Sequence, residues 1–309
     1  MPTVKINVST VTPLWTGNAW GRYKQIQPQS ILGSLRFWFE VLCYASHLIS
    51  VKSYKTEKLD YDNFKSEVND VLKNSAENSK KNITLFEIKR RALRKLSFPS
   101  QIFGCNGWKG FVKIKKIELA NYLIPNNPLD LRNKITKESN NGRKPSEWYY
   151  EKPYFWGDFY LELELESNEL KETIVYPLLH FIEKYGFVGG KNNLGYGRVK
   201  FEIKGVNLEE YDKLIFKEYP HVDFSKIVNK NIIKFDDLLE ENLVQDRQIG
   251  LYVKEKNRKS SYKQMIEELI RYKSDRRTKL NNKEKRHYIF GSTKRDEYKG
   301  IEGPNATKI

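Results

Sequence analysis

Within the first 205 residues, the spacing of apolar residues alternates between that of a strand and that of a helix. The order of these changes restricts the fold more than any other feature of the sequence. Val4, Ile6 and Val8 alternate with polar residues, which predicts a half-buried strand. A helix with Ser30 as its N-cap is predicted next, because apolar residues then recur at three- and four-residue spacing. These are Ile31, Leu35, Trp38, Leu42, Ala45 and Ile49.

The same two periods return later in the chain. Apolar and polar residues alternate from Phe159 to Glu166, interrupted only by an aromatic residue at 160, which predicts a strand with one wet face. Spacing from Leu170 to Tyr185 is helical, and Gly186 is expected to end that helix. A glycine-rich turn then leads into a strand from Val199 to Ile203.

The residues from Ile102 to Ile117 are expected to form a hairpin, since glycines separate two apolar runs there. The predicted order matches a βαββαβ unit, that is, an α+β ferredoxin-like (RRM-like) fold. Residues 120–152 are predicted to be a functional insertion or a mobile loop. We place a domain boundary near residue 206. Residues 1–205 then form a ferredoxin-like domain, a fold that RNA-binding modules often use, and residues 206–309 a smaller, partly helical basic domain, or an incomplete second ferredoxin-like unit.

Positive charge is in strong excess. The chain has 55 Lys and Arg residues against 39 Asp and Glu, a formal net charge of +16, which predicts a polyanionic partner. A merely lysine-rich surface is the alternative that charge leaves open. Cys43 and Cys105 form no CxxC pair, and no membrane span or signal peptide is recognisable. We therefore expect a cytoplasmic protein without metal, cofactor or membrane partner.

The turn from Gly189 to Arg198 has the clearest chemical implication. It holds four glycines and two cations, Lys191 and Arg198, immediately before a strand. Glycine permits close backbone approach, so successive N–H groups can face a phosphate. The turn enters a strand and lacks the ending of a P-loop, which argues against a nucleotide cofactor. The alternative is a tight helix-to-strand connection in which glycine serves geometry only.

Several motifs resemble, in order, those of the RAMP superfamily, the repeat-associated proteins of CRISPR systems. The turn just described resembles the superfamily's glycine-rich loop, and Thr12 to Gly17 resembles its opening P-L-x-x-G loop. Gln27 to Phe39 resembles its P-x-S-I-K-G-x-L-R-x-W helix, with Leu32 in place of the usual lysine. Ile102 to Cys105 resembles its FG-S turn. The resemblance is greatest to the first subunit of the Cmr, or type III-B, effector complex.

This resemblance implies a non-catalytic subunit of an RNA-guided complex in antiviral defence. Its partners would be the CRISPR guide RNA near the 3′ end, the target RNA and other RAMP subunits. It would contact mainly the RNA backbone, while base pairing supplies specificity. For Arg36, a structural salt bridge is an equal alternative. The residues expected to contact RNA are Trp20, Arg22, Lys24, Ser30, Gly33, Arg36, Arg90, Arg94, Gly189, Gly190, Lys191, Asn192, Asn193, Gly195, Gly197 and Arg198.

Catalysis is not expected. By resemblance, RAMP subunits that cut target RNA use an aspartate in the loop after the first strand, and no acidic residue lies between Leu14 and Gln29. Guide-processing members commonly rely on His with Lys or Tyr, and neither that loop nor the glycine-rich turn contains His. Two alternatives remain: a metal-independent guide-processing endoribonuclease and a generic ferredoxin-like RNA-binding module.

Overall fold

The computed structural model describes residues 1–17, 25–45, 48–49, 57–77, 83–124, 129–130, 149–150, 155–192, 196–215, 232–234 and 279. Helices and strands make up most of these residues. In chain order they are β1 (Thr3–Thr10), α1 (Pro28–Ala45), α2 (Tyr61–Glu77), α3 (Leu85–Ala92), α4 (Phe98–Phe103), β2 (Val112–Leu123), β3 (Leu129–Asp130), β4 (Tyr149–Tyr150), β5 (Trp156–Leu165), a π-helical turn (Lys171–Val175), α5 (Tyr176–Tyr185), β6 (Val199–Glu202), a 3-10 turn (Leu208–Glu210), β7 (Lys213–Ile215) and β8 (Ile232–Lys234).

Four of the strands form an antiparallel sheet in the order β2-β5-β1-β6. The central strand β1 pairs with β5, where Ile6 lies opposite Leu161, and with β6, where Val8 lies opposite Phe201. Helix α1 follows β1 and helix α5 precedes β6. This combination of strand order and connections is that of a ferredoxin-like βαββαβ unit. The predicted fold class is confirmed.

One buried cluster joins the inner face of the sheet to α1 and α5. The alternation predicted for β5 is present, because every second residue from 159 to 165 is buried. Each such large apolar side chain stabilises the fold by roughly 1.5–3 kcal/mol when fully buried. The main members from these elements are Phe159, Leu161, Leu163, Leu165, Ile31, Leu35, Phe39, Leu42, Leu178, Phe181 and Ile182.

Helix α1 begins at Pro28, two residues before its predicted start. Proline suits a first helical position, where its missing N–H removes no hydrogen bond. The N–H groups of Ser30 and Ile31 lie 3.1 and 3.3 Å from the carbonyl oxygen of Gln27. Ser30 is therefore inside the first turn, and the prediction that it caps the helix is wrong.

The predicted hairpin from Ile102 to Ile117 is also wrong. Its first half is the end of α4, a short helix with proline in its first turn. Cys105 and Trp108 then close a tight turn, in which each N–H donates to the other residue's carbonyl oxygen at 2.9 and 3.0 Å. Only β2 continues as a strand, and its partner is β5 across the insertion. Within residues 120–152, β3 pairs with β4.

The C-terminal part of the chain lies mostly outside the described residues. Of residues 206–309, the structure describes the 3-10 turn and the short antiparallel pair β7 and β8. The boundary near residue 206 and the second, basic unit stay predictions.

Arg198 closes the C-terminal end of α5 and is not exposed to a ligand. The residue is 2 % exposed, and its guanidinium donates hydrogen bonds to the carbonyl oxygens of Ile182, Glu183, Lys184 and Gly186. The last carbonyls of a helix lack partners within the helix and favour a cation. Burial lowers the pKa of Arg198 to about 10, which leaves it protonated at neutral pH. The phosphate contact predicted for Arg198 is wrong.

We expect Arg198→Leu to lower the free energy of unfolding by about 3 kcal/mol, because buried carbonyl groups lose a charged donor. Urea unfolding followed by circular dichroism measures this change. Arg94→Leu is the matched control, since its side chain is 55 % exposed and its guanidinium pairs with Glu67 at 3.1 Å; an exposed pair contributes less than about 1 kcal/mol. Equal destabilisation by the two substitutions would contradict the structural role of Arg198.

Candidate nucleic-acid interface

The glycine-rich turn is held against α1 and against the loop that follows β1. The N–H of Gly189 donates to the side-chain oxygen of Ser34 at 2.8 Å. The N–H of Gly190 donates to the carbonyl oxygen of Trp15, also at 2.8 Å. The turn therefore connects both segments that carry the opening motifs of the sequence.

Gly197 closes the base of this turn. Its carbonyl oxygen accepts a hydrogen bond from Val188 N–H at 2.8 Å, and its own N–H donates to Pro13 at 2.9 Å. Its φ is +85°, and a β-carbon there would lie 2.0 Å from the carbonyl oxygen of Val188. The same holds for Gly189, where φ is +81° and a β-carbon would lie 2.5 Å from the Trp15 carbonyl oxygen. These positions require glycine for geometry alone.

The N–H groups of three glycines in the turn, Gly189, Gly190 and Gly197, are therefore engaged with the protein. The prediction that the N–H groups of Gly189, Gly190 and Gly197 face a phosphate is wrong, because each one already donates to a protein oxygen. The alternative weighed for this turn, a tight connection in which glycine serves geometry, is the correct one for these residues.

A cleft of about 330 Å³ remains between the first turns of α1 and the glycine-rich turn. Five of the predicted RNA-contacting residues line it: Ser30, Gly33, Gly189, Gly190 and Asn192. Aromatic residues provide much of the remaining lining, namely Trp15, Phe37, Trp38 and Phe187. The structure thus brings the two motifs together in space, although they lie about 150 residues apart in the chain.

Contacts on the protein side of the cleft hold its aromatic residues in place. The indole N–H of Trp38 donates to the carbonyl oxygen of Phe187 at 2.7 Å, which ties α1 to the end of α5. The ring of Phe37 meets that of Trp38 edge to face, with centroids 5.2 Å apart. Trp38 is buried, whereas Phe37 is half-buried. Phe37 is therefore the α1 ring that a ligand can reach.

Lys191 places a positive charge beside the cleft. Its φ is +61°, a left-handed backbone that residues with a side chain seldom adopt. Its ammonium nitrogen lies 5.1 Å from the ring centroid of Trp15 and 5.9 Å from that of Tyr196. Such cation–π contacts hold an ammonium group near a ring face. Trp15, which lines the cleft, therefore also positions the cation.

Two polar atoms in the cleft wall have no hydrogen-bond partner among the residues that the structure describes. They are the indole nitrogen of Trp15 and the side-chain oxygen of Asn192, and both are buried. Buried polar atoms in native proteins usually have partners. Both atoms are enclosed by protein, so they are not points of contact for a ligand in the cleft.

The remaining predicted cations are elsewhere. Arg36 donates to Glu40 at 2.7 Å, to the Ser100 hydroxyl at 3.1 Å and to the Gly104 carbonyl oxygen. It therefore joins α1 to the end of α4, and of its two alternatives the structural one is correct. Arg90 lies 5.8 Å from the ring centroid of Phe86.

None of Arg36, Arg90 and Arg94 lines the cleft. The predicted contacts at Trp20, Arg22, Lys24, Asn193 and Gly195 lie outside the described residues.

Five of the ten residues that line the cleft were not predicted, among them the aromatic residues Trp15 and Phe37. Both belong to segments that were singled out as motifs, but their rings were not assigned to a site. Spacing alone did not distinguish Phe37, because its neighbours Trp38 and Phe39 are also adjacent aromatic residues and both are buried.

The outer face of the sheet carries charges of both signs. Lys115 pairs with Glu162 at 3.0 Å and Lys113 with Glu164 at 4.0 Å. The exposed ring of Tyr160 lies between Asn7 and Glu118 on the neighbouring strands. RRM modules stack bases on aromatic residues of this face. Carboxylates here repel phosphates, so the cleft is the better candidate for an RNA site.

In the part of the chain that the structure describes, His, Cys, Asp and Glu side chains form no group that could hold a metal ion. None of the described helices combines the length and apolar character that crossing a membrane requires.

Comparison with known proteins places these motifs in a family. The chain is similar to Cmr1 from Pyrococcus furiosus, with 16 % identity over 95 % of this chain and 78 % of that one and a TM-score of 0.39. It is also similar to a chain of a type IV-B CRISPR complex, with 12 % identity over 74 % of this chain and 100 % of that one and a TM-score of 0.38. No curated protein matches. The family model of the RAMP superfamily matches residues 7–200, which include the second half of β1, all of α1 and α5, and the glycine-rich turn. The chain belongs to the RAMP superfamily.

Proposed function

We propose that this chain binds RNA as a non-catalytic subunit of a CRISPR effector complex, and that the strand lies in the cleft between α1 and the glycine-rich turn. The observation that carries this proposal is the convergence of two family motifs on one cleft with aromatic walls and a cation at its side. Proteins hold single strands by combining aromatic stacking with positive charge. This cleft has both.

The charge of the whole chain supports an RNA partner. A formal net charge of +16 favours association with a polyanion. Contacts to phosphates position a protein on a nucleic acid without reading its sequence. In a guided complex, pairing between guide and target supplies the specificity.

We further propose that this chain is the counterpart of the first subunit in a type III-B complex. The support is the Phe37-Trp38-Phe39 version of the motif helix and the long spacing from it to the glycine-rich turn. In that place the partners are the guide RNA near its 3′ end, the target RNA and other RAMP subunits.

The non-catalytic role rests on the chemistry of the residues near the cleft. The loop from Leu14 to Gln29 contains no Asp, Glu or His, so no carboxylate or imidazole from it can move a proton or hold a metal ion at the strand. Metal-independent RNA cleavage relies on general acid–base groups, most often histidine. Lysine, serine, asparagine and aromatic residues at the cleft serve for positioning.

Removing the cation at the cleft is expected to weaken RNA binding through charge. Lys191→Asn keeps a residue that tolerates positive φ and removes the ammonium group. If Lys191 neutralises one phosphate, the slope of log affinity against log salt decreases by about 0.7. Fluorescence anisotropy of a labelled single-stranded RNA at several salt concentrations measures the slope.

Lys200→Asn is the matched control, because this lysine is exposed on β6 and lies opposite Ser9 on the outer face of the sheet. We expect its slope to equal that of the unchanged protein. Equal slopes for both variants would remove Lys191 from the RNA-binding site.

We expect no cleavage when the purified chain is incubated with CRISPR repeat RNA or with a target strand, since no Asp, Glu or His is among the residues that line the cleft. Denaturing gel electrophoresis is the measurement, and full-length RNA should remain throughout. Defined products in the presence of a chelator would favour the metal-independent endoribonuclease instead.

Association with a complex is tested separately. A tagged chain purified from its native cell should bring with it a discrete set of RAMP subunits and a short RNA, identified by mass spectrometry and sequencing. Purification as a single chain without RNA would contradict the proposed subunit role.

A further inference from the structure

Gly33 has no role in the fold. It lies inside α1 with a helical φ, where glycine destabilises a helix relative to alanine. A β-carbon at this position would meet no atom within 4 Å. Gly189 and Gly197 differ, because positive φ and nearby backbone atoms require glycine there. The packing and backbone of the described residues therefore give no reason for glycine at position 33.

The missing side chain of Gly33 leaves space in the cleft. Gly33 is exposed and lines the cleft together with Ser30 and Phe37. These two residues lie three positions before and four positions after it, so all three share one side of the helix. Any large side chain at position 33 would stand beside the Phe37 ring and fill the cleft.

The shape and chemistry of this space restrict what can occupy it. Its volume of about 330 Å³ is at the small end of the range for ligand pockets. Its aromatic walls suit a planar group that stacks. The ammonium group of Lys191, held against Trp15, suits a negative charge attached to that planar group. A nucleotide has both parts in one unit.

We infer that the cleft takes a single nucleobase turned out of the RNA strand, stacked on Phe37, and that Gly33 keeps the space open for it. The adjacent phosphate lies near Lys191. Splayed bases that stack on aromatic side chains are a common mode of single-stranded RNA recognition. The inference rests on the proposed function, and it adds that the site contacts a base and not only the backbone.

Two RNA probes separate base contact from phosphate contact. One is a short oligouridine, and the other has the same length and charge but is abasic at every position. Because stacking of one base contributes substantially to affinity, the unchanged protein should bind oligouridine about tenfold more tightly than the abasic strand. In Gly33→Leu this preference should disappear while affinity for the abasic strand is retained, and Gly33→Ala should lie between the two.

Ser66→Leu is the matched control, since it places the same side chain on an exposed position of α2 that does not line the cleft. Its preference for oligouridine should equal that of the unchanged protein. Urea unfolding checks that Gly33→Leu is folded, and its midpoint should be unchanged or higher because leucine favours a helix over glycine.

The outcomes distinguish the two levels of the proposal. If the unchanged protein binds both strands equally, or if folded Gly33→Leu keeps the preference for oligouridine, the base pocket is overturned and RNA binding stands. If the unchanged protein binds neither strand, the proposed function fails and the pocket fails with it.

Discussion

The close approach of two backbone segments determines the rest of this structure. The N–H groups of Gly190 and Gly197 donate to the carbonyl oxygens of Trp15 and Pro13, at 2.8 and 2.9 Å. A β-carbon at Gly189 or Gly197 would collide with a backbone oxygen, so this approach requires glycine. Because the turn is fixed to the first loop, it lies opposite the first turns of α1, and the cleft forms between the turn and that helix.

Positive charge in this chain serves both the fold and the candidate site. Arg198 is enclosed by the carbonyl groups that end α5, and Arg36 joins α1 to α4. Lys191 differs, because it lies within the glycine-rich turn in a left-handed conformation, over a ring of the cleft wall. The glycine-rich turn therefore contains cations of both kinds, and burial distinguishes them.

Local periodicity predicted the order of the main elements, since burial of one face imposes a period on each strand and helix. The hairpin predicted from Ile102 to Ile117 was wrong. The second half of this segment does form a strand, β2, but its partner β5 comes only after a long insertion. Pairing across such a distance leaves no local signal. The sequence located the two halves of the cleft through their motifs. It could not show that the turn amides are engaged, that Arg198 is buried, or that Phe37 lines the cleft, because these facts depend on packing between distant segments.

Photo-crosslinking tests the central claim most directly. A single-stranded RNA containing 4-thiouridine is irradiated with the protein, and the modified peptides are identified by mass spectrometry. An RNA strand held in the cleft predicts adducts on the α1 peptide that contains Phe37 and on the peptide from Phe187 to Asn192. Adducts confined to the outer face of the sheet, around Tyr160, would contradict it.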